Sequence, residues 1–199
     1  MSVMSLGWAN DLPGCMIQAK HVLKPDGLFL CAMLGGNTLK ELRSAFVVAE
    51  QERDGGVSPH VAPMVNVRDA GDLLGRAGFT LPTVDTDEVV VMYDDAFSLM
   101  DHLRCMGASS NLMGGRPYVP RETMIATAAI YEEMFGTEHG IPATFEIIHM
   151  TAWAPHDSQP KALERGSANV SMADLSTHLG QDIEHIDENT LPEDDVENK

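Results

Sequence analysis

Segments with a helical and with an extended hydrophobic pattern alternate along this chain. Leu12–Leu23 predicts a helix that ends at Lys24-Pro25, because proline cannot continue it, and Asp26-Gly27 then supplies a tight turn. The next segment, Leu28–Leu34, is apolar at all seven positions. Strands without alternation are typical of parallel sheets that are covered on both faces, so we expect this strand to be buried on both faces.

Two further helices are predicted after this strand. Thr38 opens the first of them, with Glu41 three residues later in a capping-box pattern, and a pair of glycines ends it. Asn66 caps the second, which ends at Gly78. Ser58–Met64, which contains two prolines, is expected to form an irregular loop between the two helices.

The second half of the chain adds two strands with helices between them. Thr83–Tyr93 is rich in β-branched residues and Ala143–Trp153 alternates, so both segments predict strands. Asp94–Met106 and Pro120–Phe135 predict two helices, the second with a proline in its first turn. The fold class is therefore α/β, with a sheet of about three strands and a helical insertion between the last two strands.

Composition and charge exclude several classes of protein. Of the 199 residues, 44% are hydrophobic and 22% are charged, as in globular domains, and the net charge is −17. This charge repels phosphate backbones, so no nucleic-acid partner is expected. The longest apolar run has seven residues, whereas a membrane helix needs about 20, so no transmembrane segment is expected. The N-terminal residues lack the basic or amphipathic pattern of a targeting peptide, so no transit peptide is visible.

The first residues of the chain carry a recognisable order of motifs. Trp8–Pro13 has the sequence Trp-Ala-Asn-Asp-Leu-Pro, and a helix, the turn Leu23–Gly27 and the apolar strand follow it. This order resembles the second half of a class I S-adenosylmethionine-dependent methyltransferase, in which such a segment ends strand four and such a turn precedes strand five. The resemblance implies the C-terminal half of a Rossmann-like class I methyltransferase fold, from the end of strand four onward.

Further segments narrow the resemblance, and these are Pro59-His60, Asp72–Phe79, Thr83–Glu88, Pro142–Thr144 and Glu164–Ala168. With them, the chain over roughly residues 4–172 resembles the methyltransferase-like arginine hydroxylases that serve mitochondrial complex I assembly. More distantly, it is similar to the malonyl-carrier-protein methyltransferases of biotin synthesis. The resemblance implies methyl transfer or arginine hydroxylation on a complex I subunit, at the matrix side of the mitochondrial inner membrane. The implied partner is that subunit or an assembly intermediate.

The resemblance and the charge pattern divide the chain into three parts. Residues 1–155 form a partial methyltransferase-like domain, and residues 156–172 form a C-terminal extension. Residues 173–199 contain nine acidic residues and one lysine, which predicts a disordered acidic tail. Docking of this tail to a basic partner is the alternative.

The cofactor motifs of the family are not found in this chain. A glycine-rich motif after strand one and an acidic residue at the end of strand two bind S-adenosylmethionine in the intact family fold, and both would precede Met1. Gly35-Gly36 is no substitute, because it follows strand five and lacks the Gly-x-Gly spacing. We therefore expect this chain not to bind the cofactor of the intact fold. The alternatives to an enzyme are a non-catalytic assembly or binding module and an inactive truncated isoform that lacks the cofactor-binding half.

The candidate residues on the substrate or cofactor side are Trp8, Asn10 and Asp11. They would lie at the carboxyl end of the fourth strand, where open α/β sheets bind ligands. The alternative is that Trp8 packs under the next helix and that Asn10 or Asp11 caps this helix. Catalytic residues are not assigned, and no complete cofactor-binding set is present.

No metal site is expected from the spacing of histidines and acids. The eight histidines never occur at a ligand spacing such as His-x-His. Folding could still gather His60, His149 and His156 into an iron site. Asp85 and Asp87 share one face of a predicted strand, which is typical of a solvated edge.

Two surfaces are candidates for contacts with other chains. The strand Leu28–Leu34 needs neighbours on both sides, and only the few residues before Trp8 could pair with one of them. We therefore expect self-association through an unpaired strand edge. The inserted helices are expected to cover the acceptor side of the pocket, with Tyr131 and Phe135 in contact with a protein partner.

Overall fold

The computed structural model describes residues 1–108, 118–162 and 165–167. The chain divides into two compact units, residues 1–159 and residues 160–199. All elements named below belong to the first unit. The predicted acidic tail, residues 173–199, lies outside the described residues.

Strands and helices alternate through the described part of the first unit. The strands are β1 (Ser2–Val3), β2 (Leu28–Leu34), β3 (Thr80–Tyr93) and β4 (Ile141–Trp153). The helices are a 3₁₀ turn (Leu6–Trp8), α1 (Leu12–Val22), α2 (Lys40–Arg53), α3 (Val67–Ala77), α4 (Ala96–Cys105) and α5 (Arg121–Phe135). Within the described ranges, no helix combines the length and the apolar character that a membrane crossing requires. The α/β prediction is confirmed, as is the insertion of two helices between the last two strands.

The sheet is mixed and has the strand order β1-β2-β4-β3. β1 runs parallel to β2, and β4 is antiparallel to both of its neighbours. β2 pairs along its whole length with the second half of β4, whereas β3 pairs with all of β4, from Thr80 opposite Trp153 to Tyr93 opposite Ile141. The two-residue β1 lies in the few residues before Trp8 and pairs with β2 at Cys31 and Ala32, so it makes a fourth strand where about three are predicted.

β2 is buried on one face only, so the prediction of burial on both faces is wrong. Its odd-numbered residues are at most 6% exposed. Its even-numbered residues are half-buried or, at Leu28, 44% exposed. An apolar residue at every position means that the strand could be buried on both faces. Burial of the second face also requires helices that cover it, and the pattern of the strand itself does not provide them.

Two groups of buried hydrophobic residues stabilise this unit. The sheet cluster lies among β2, β4, α1 and α3 and consists of Met16, Phe29, Cys31, Met33, Ala70, Leu74, Ala77, Phe79, Ile148, Met150 and Ala152. The insertion cluster joins α2, α4 and α5 to the start of β4 and consists of Leu39, Leu42, Ala45, Phe46, Ala96, Leu99, Leu103, Tyr131, Ile141 and Ala143. The two clusters use even and odd positions of β4, respectively, and therefore lie on its opposite faces.

The predicted capping box at the start of α2 is wrong. The helix begins at Lys40, and Thr38 is fully buried before it. The Thr38 hydroxyl donates to the carbonyl oxygen of Glu146 and accepts from its N–H. The Glu41 carboxylate accepts from the N–H and the hydroxyl of Thr144, at 3.2 and 2.5 Å. Both side chains bind β4 instead of capping the helix, because the start of α2 packs against that strand.

The other helices lie within two residues of their predicted bounds. α3 ends at Gly78, whose φ of 81° lies in the left-handed region that glycine adopts without strain. α4 begins after Asp95, whose carboxylate accepts from the N–H of Ser98 at 2.7 Å. This hydrogen bond lowers the pKa of Asp95, because it favours the charged carboxylate.

Candidate functional site

A cavity of about 610 Å³ opens beside the carboxyl end of β2. Its walls come from the residues after β1, from α2 with the loop 59–65, and from the inserted helices. The lining is mostly apolar, and its ionisable side chains are His60, Asp101, Arg104 and Tyr118. A mostly apolar cleft of this size with a few polar groups is the usual form of a ligand site.

The three residues predicted to face a ligand occupy different positions. Trp8 lines the cavity and is 54% exposed. Asn10 is exposed and lies outside the lining. Asp11 caps α1, since its carboxylate accepts from the N–H of Gly14 at 2.9 Å. Of the three, the structure brings Trp8 to the cavity, and its contact with a ligand stays a prediction.

His60 lines the cavity and has a buried acidic partner. Its Nε2 lies 2.6 Å from Oε1 of Glu50, and the two side chains are 10% and 1% exposed, respectively. The second carboxylate oxygen of Glu50 accepts from the N–H of Ser58 at 2.5 Å. The His60 ring packs against Phe46, with ring centroids 4.7 Å apart. These contacts hold the imidazole in one orientation at the cavity wall.

Glu50 is a candidate that the sequence analysis missed. It lies four residues after Phe46 and eight after Leu42, so all three share the buried face of α2. A glutamate on an apolar stripe needs a polar partner when it is buried. This spacing is a signal that could have revealed Glu50, whereas the position of His60 in an irregular loop follows no periodicity.

The inserted helices form part of the cavity wall. α4 contributes Met100, Asp101, Leu103 and Arg104, and α5 contributes Met124. Asp101 and Arg104 are three residues apart on one helix, so their side chains project from neighbouring positions on the same face. The cavity wall therefore carries one acidic and one basic group from α4.

The prediction that Tyr131 contacts a protein partner is wrong. Its side chain is fully buried, and its hydroxyl donates to the carbonyl oxygen of Pro142 at 2.8 Å. Burial, followed by the charge of Glu41 and by Tyr93, raises the pKa of Tyr131. Phe135 packs against this ring in an edge-on arrangement, with centroids 5.8 Å apart. Both aromatic rings therefore serve the packing of the insertion cluster.

The glycine pair after β2 does not fit S-adenosylmethionine. A β-carbon at Gly35 would overlap the carboxylate of Glu146, and one at Gly36 would lie 2.5 Å from Oδ1 of Asn66. Glu146 is buried and accepts two hydrogen bonds from Asn37, one from its N–H at 2.8 Å and one from its side-chain amide at 3.2 Å. The space beside these glycines is therefore filled by side chains of the protein itself.

The histidines considered for an iron site have separate partners. His60 is bound to Glu50, and Nε2 of His149 lies 3.3 Å from Oδ2 of Asp87. His156 is bound to a nearby serine hydroxyl. Within the part of the chain that the structure describes, no three histidine, cysteine or carboxylate side chains are gathered so that they could hold a metal ion.

Sequence comparisons find relatives with named activities. The chain is 52% identical over 177 residues to "Arginine-hydroxylase NDUFAF5, mitochondrial" of Danio rerio, a match that covers 88% of this chain and 55% of that protein. For the protein of the same name in Homo sapiens, identity is 49% over 176 residues, covering 88% and 52% of the two chains. A malonyl-[acyl-carrier protein] O-methyltransferase of Xylella fastidiosa is 37% identical over 172 residues, covering 86% and 56%. The chain thus spans about half the length of the curated relatives it matches.

Family models and solved structures say less about this chain than the sequence relatives do. No family model matches the chain. The solved structure of YcgJ from Bacillus subtilis gives a TM-score of 0.44 at 12% identity, over 78% of this chain and 63% of that chain, and no conclusion rests on it. The mixed four-stranded sheet with its helices is consistent with a Rossmann-like methyltransferase fold. With 44–52% identity over 88% of its length, the chain is similar to about half the length of the proteins named NDUFAF5 arginine-hydroxylase in vertebrates and Dictyostelium discoideum.

Proposed function

We propose that this chain is the acceptor-side part of a methyltransferase-like factor for mitochondrial complex I assembly, and that its cavity binds an arginine side chain of a complex I subunit. The proposed location is the matrix side of the inner membrane. The observation that carries the proposal is the cavity between Trp8 and the inserted helices, which is large enough to enclose a long side chain. The choice of an arginine ligand and of a mitochondrial location comes from the names of the relatives.

Trp8, Asp101 and the apolar lining of the cavity suit a guanidinium group on a methylene stem, whereas the basic Arg104 opposes it. The Trp8 ring offers an aromatic face to a cation, and the Asp101 carboxylate can accept two parallel N–H bonds from a planar guanidinium. The apolar lining suits the methylene stem of arginine. The net charge of −17 attracts a cationic polypeptide segment over distances longer than the cavity itself.

The proposal assigns acceptor binding to this chain, and it assigns no transfer step. S-adenosylmethionine is proposed as the cofactor of the intact family fold. The filled space beside Gly35 and Gly36 argues against tight binding of this cofactor at that turn. A non-catalytic assembly module would bind the same acceptor without transfer, and an inactive truncated isoform would bind neither tightly.

Titration calorimetry with a peptide that carries one arginine tests acceptor binding. The chain should bind this peptide more tightly than the matched peptide with neutral citrulline. Trp8→Ala should weaken binding by about two- to thirtyfold, the range of a cation–π contact. Phe97→Ala is the control, because Phe97 is 46% exposed and lies outside the lining. Equal affinities for the two peptides, or equal effects of the two substitutions, would contradict the proposal.

A second titration addresses the cofactor. S-adenosylmethionine should give no saturable heat with this chain at micromolar concentrations, because the glycine turn is filled. A dissociation constant in the micromolar range would show that the residues around Trp8 are sufficient for cofactor binding. It would also overturn the assignment of acceptor binding alone.

Self-association is proposed for the outer edge of β3, which has no partner among the described strands. The predicted open edge of β2 is paired with β1 only at Cys31 and Ala32, whereas β3 pairs with β4 alone among the described strands. The run Val89–Met92 of β3 is 37–55% exposed. An open edge with exposed β-branched residues is a template for a second strand.

Light scattering of Val90→Lys tests this edge. A lysine on an edge strand opposes pairing with another chain, so the variant should be monomeric where the unchanged chain associates. Val22→Lys is the control, because it adds the same charge at an 85% exposed position at the end of α1. A monomeric unchanged chain, or equal association of the two variants, would exclude the β3 edge.

A further inference from the structure

The Glu50–His60 pair has a chemistry that acceptor binding by Trp8 and Asp101 does not use. An ionised carboxylate only accepts hydrogen bonds. With Glu50 ionised, the contact of 2.6 Å between its Oε1 and Nε2 of His60 requires a proton on Nε2. The N–H of Ser58 occupies the second carboxylate oxygen as a donor. A neutral His60 is then the Nε2–H tautomer, with a lone pair on Nδ1.

The second ring nitrogen of His60, Nδ1, is not engaged by Glu50. It has no hydrogen-bonding partner among the described residues, although the side chain is only 10% exposed. Among the described residues, Nη2 of Arg43 is the side-chain nitrogen or oxygen that is both inaccessible to solvent and without a hydrogen-bonding partner. Nδ1 of His60 also lacks a partner but is not in this group, so it retains some accessible surface. His60 is one of the residues that line the cavity, so its ring borders the space in which a ligand would lie.

We infer that His60 is a specificity-determining residue whose Nδ1 accepts a hydrogen bond from an N–H donor of the ligand, and that Glu50 is the positioning residue that fixes the tautomer. The inference rests on the proposed function, because it takes the ligand to be an arginine side chain. A guanidinium group has five N–H donors and no acceptor. Nδ1 and the Asp101 carboxylate give it acceptors from two different elements of the wall, the loop after α2 and α4.

Nitrogen NMR of the histidine-labelled chain reads the tautomer directly. Without ligand, Nε2 of His60 should show the protonated signature and Nδ1 the unprotonated one. Addition of the arginine peptide should shift the Nδ1 resonance toward the hydrogen-bonded range, and the citrulline peptide should shift it less. A proton on Nδ1 in the unliganded chain, or no response of Nδ1 to a bound arginine peptide, would overturn the inference.

Glu50→Gln tests the positioning role with a predicted reversal. The N–H of Ser58 should retain the amide oxygen of the new side chain, so the amide NH₂ should face Nε2 of His60 and donate to it. His60 should then become the Nδ1–H tautomer, which cannot accept from a guanidinium. An unchanged tautomer in the folded variant would contradict the role of Glu50. If this variant does not fold, the spectrum of the unchanged chain still reports the tautomer of His60. The variants of His60 still test whether Nδ1 accepts a hydrogen bond from the ligand.

Two substitutions of His60 complete the test. His60→Phe keeps a ring against Phe46 but removes the acceptor, and it should weaken binding of the arginine peptide by about ten- to a hundredfold, the range of a hydrogen bond to a charged group. His60→Asn can place its side-chain oxygen near the position of Nδ1 and should restore part of the affinity. If the unchanged chain binds no arginine peptide, the proposed function fails. If it binds and His60→Phe binds equally well, only the inference about His60 fails.

Discussion

The sheet cluster and the insertion cluster lie on opposite faces of β4 and differ in what surrounds them. The sheet cluster is a set of apolar side chains between strands and helices. The elements that form the insertion cluster also carry or bind buried polar side chains. These are Thr38, Glu41 and Glu50 in or just before α2, Thr123 and Thr127 in α5, and Thr144 and Glu146 of β4, which bind the start of α2. The insertion cluster contributes four of its buried residues to the cavity wall, namely Leu39, Leu42, Phe46 and Leu103. Of the buried residues described for the sheet cluster, Met33 alone lines the cavity.

This difference separates a region built for stability from a region built around a binding site. Apolar packing needs no specific partner, so the sheet cluster can fold from complementary shapes alone. Each buried carboxylate needs donors at defined positions, so the second region specifies one arrangement of α2 and β4. Breaking each region in turn should therefore have different consequences.

The largest expected effect is on the sheet cluster. Leu74 is fully buried, and Leu74→Ala should lower the free energy of unfolding by about 2–5 kcal/mol. Leu103→Ala, the matched substitution in the insertion cluster, should cost less, because Leu103 borders a cavity and loses fewer packing contacts. Urea denaturation followed by circular dichroism measures both. An equal or larger loss for Leu103→Ala would remove the distinction between the two regions.

An intermediate effect is expected from the buried polar layer. Thr144→Val removes the hydroxyl that donates to Glu41 at 2.5 Å and leaves that carboxylate with fewer donors. The free energy of unfolding should fall by about 1–3 kcal/mol, the cost of an unsatisfied buried polar group. Thr151→Val, at a half-buried position of the same strand, should change it by less than about 0.5 kcal/mol. Equal values for the two variants would mean that the Glu41 contact adds nothing to stability.

The smallest effect should appear only in alkaline solution. The pKa of Tyr131 is raised by burial, then by Glu41 and Tyr93, so the folded chain retains this proton to higher pH than the unfolded chain. Its contribution to stability is full below the ordinary tyrosine pKa of about 10 and is lost as the pH rises above it. Tyr131→Phe should therefore make the fall of melting temperature between neutral and alkaline pH shallower. Tyr118→Phe, at a 73% exposed position, is the control, and an identical slope in the two variants would contradict the assignment.

Most of the fold followed from local patterns, and the exceptions had tertiary causes. The bounds of α1, α3 and α5 could be predicted because capping residues, proline and glycine act on the adjacent backbone. β1 has two residues and no pattern of its own, since its pairing with β2 alone defines it. The capping box at Thr38 and Glu41 failed because β4 offered both side chains better partners than the start of α2 did.

The candidate site was less accessible to sequence reasoning. A motif resemblance predicts Trp8, Asn10 and Asp11 at the carboxyl end of a strand, and of these Asp11 serves as the cap of α1. The only chemical role that the sequence suggests for His60 is that of a metal ligand, because its acidic partner Glu50 lies ten residues away on a different element. Such a pairing depends on how a helix and an irregular loop pack together, which no periodicity encodes.

The longest strand pairing among the described residues joins β3 and β4. In the sequence, residues 94–140, which include the inserted helices, separate these two strands. The entropic contribution to the free energy of closing such a loop grows slowly, by about 0.6 kcal/mol for each doubling of its length. Evolution could therefore lengthen or shorten this segment with little thermodynamic penalty, while the ladder between β3 and β4 kept its register. Because part of the cavity wall lies in this segment, a homologue could acquire a different acceptor by insertion or deletion there without a new fold.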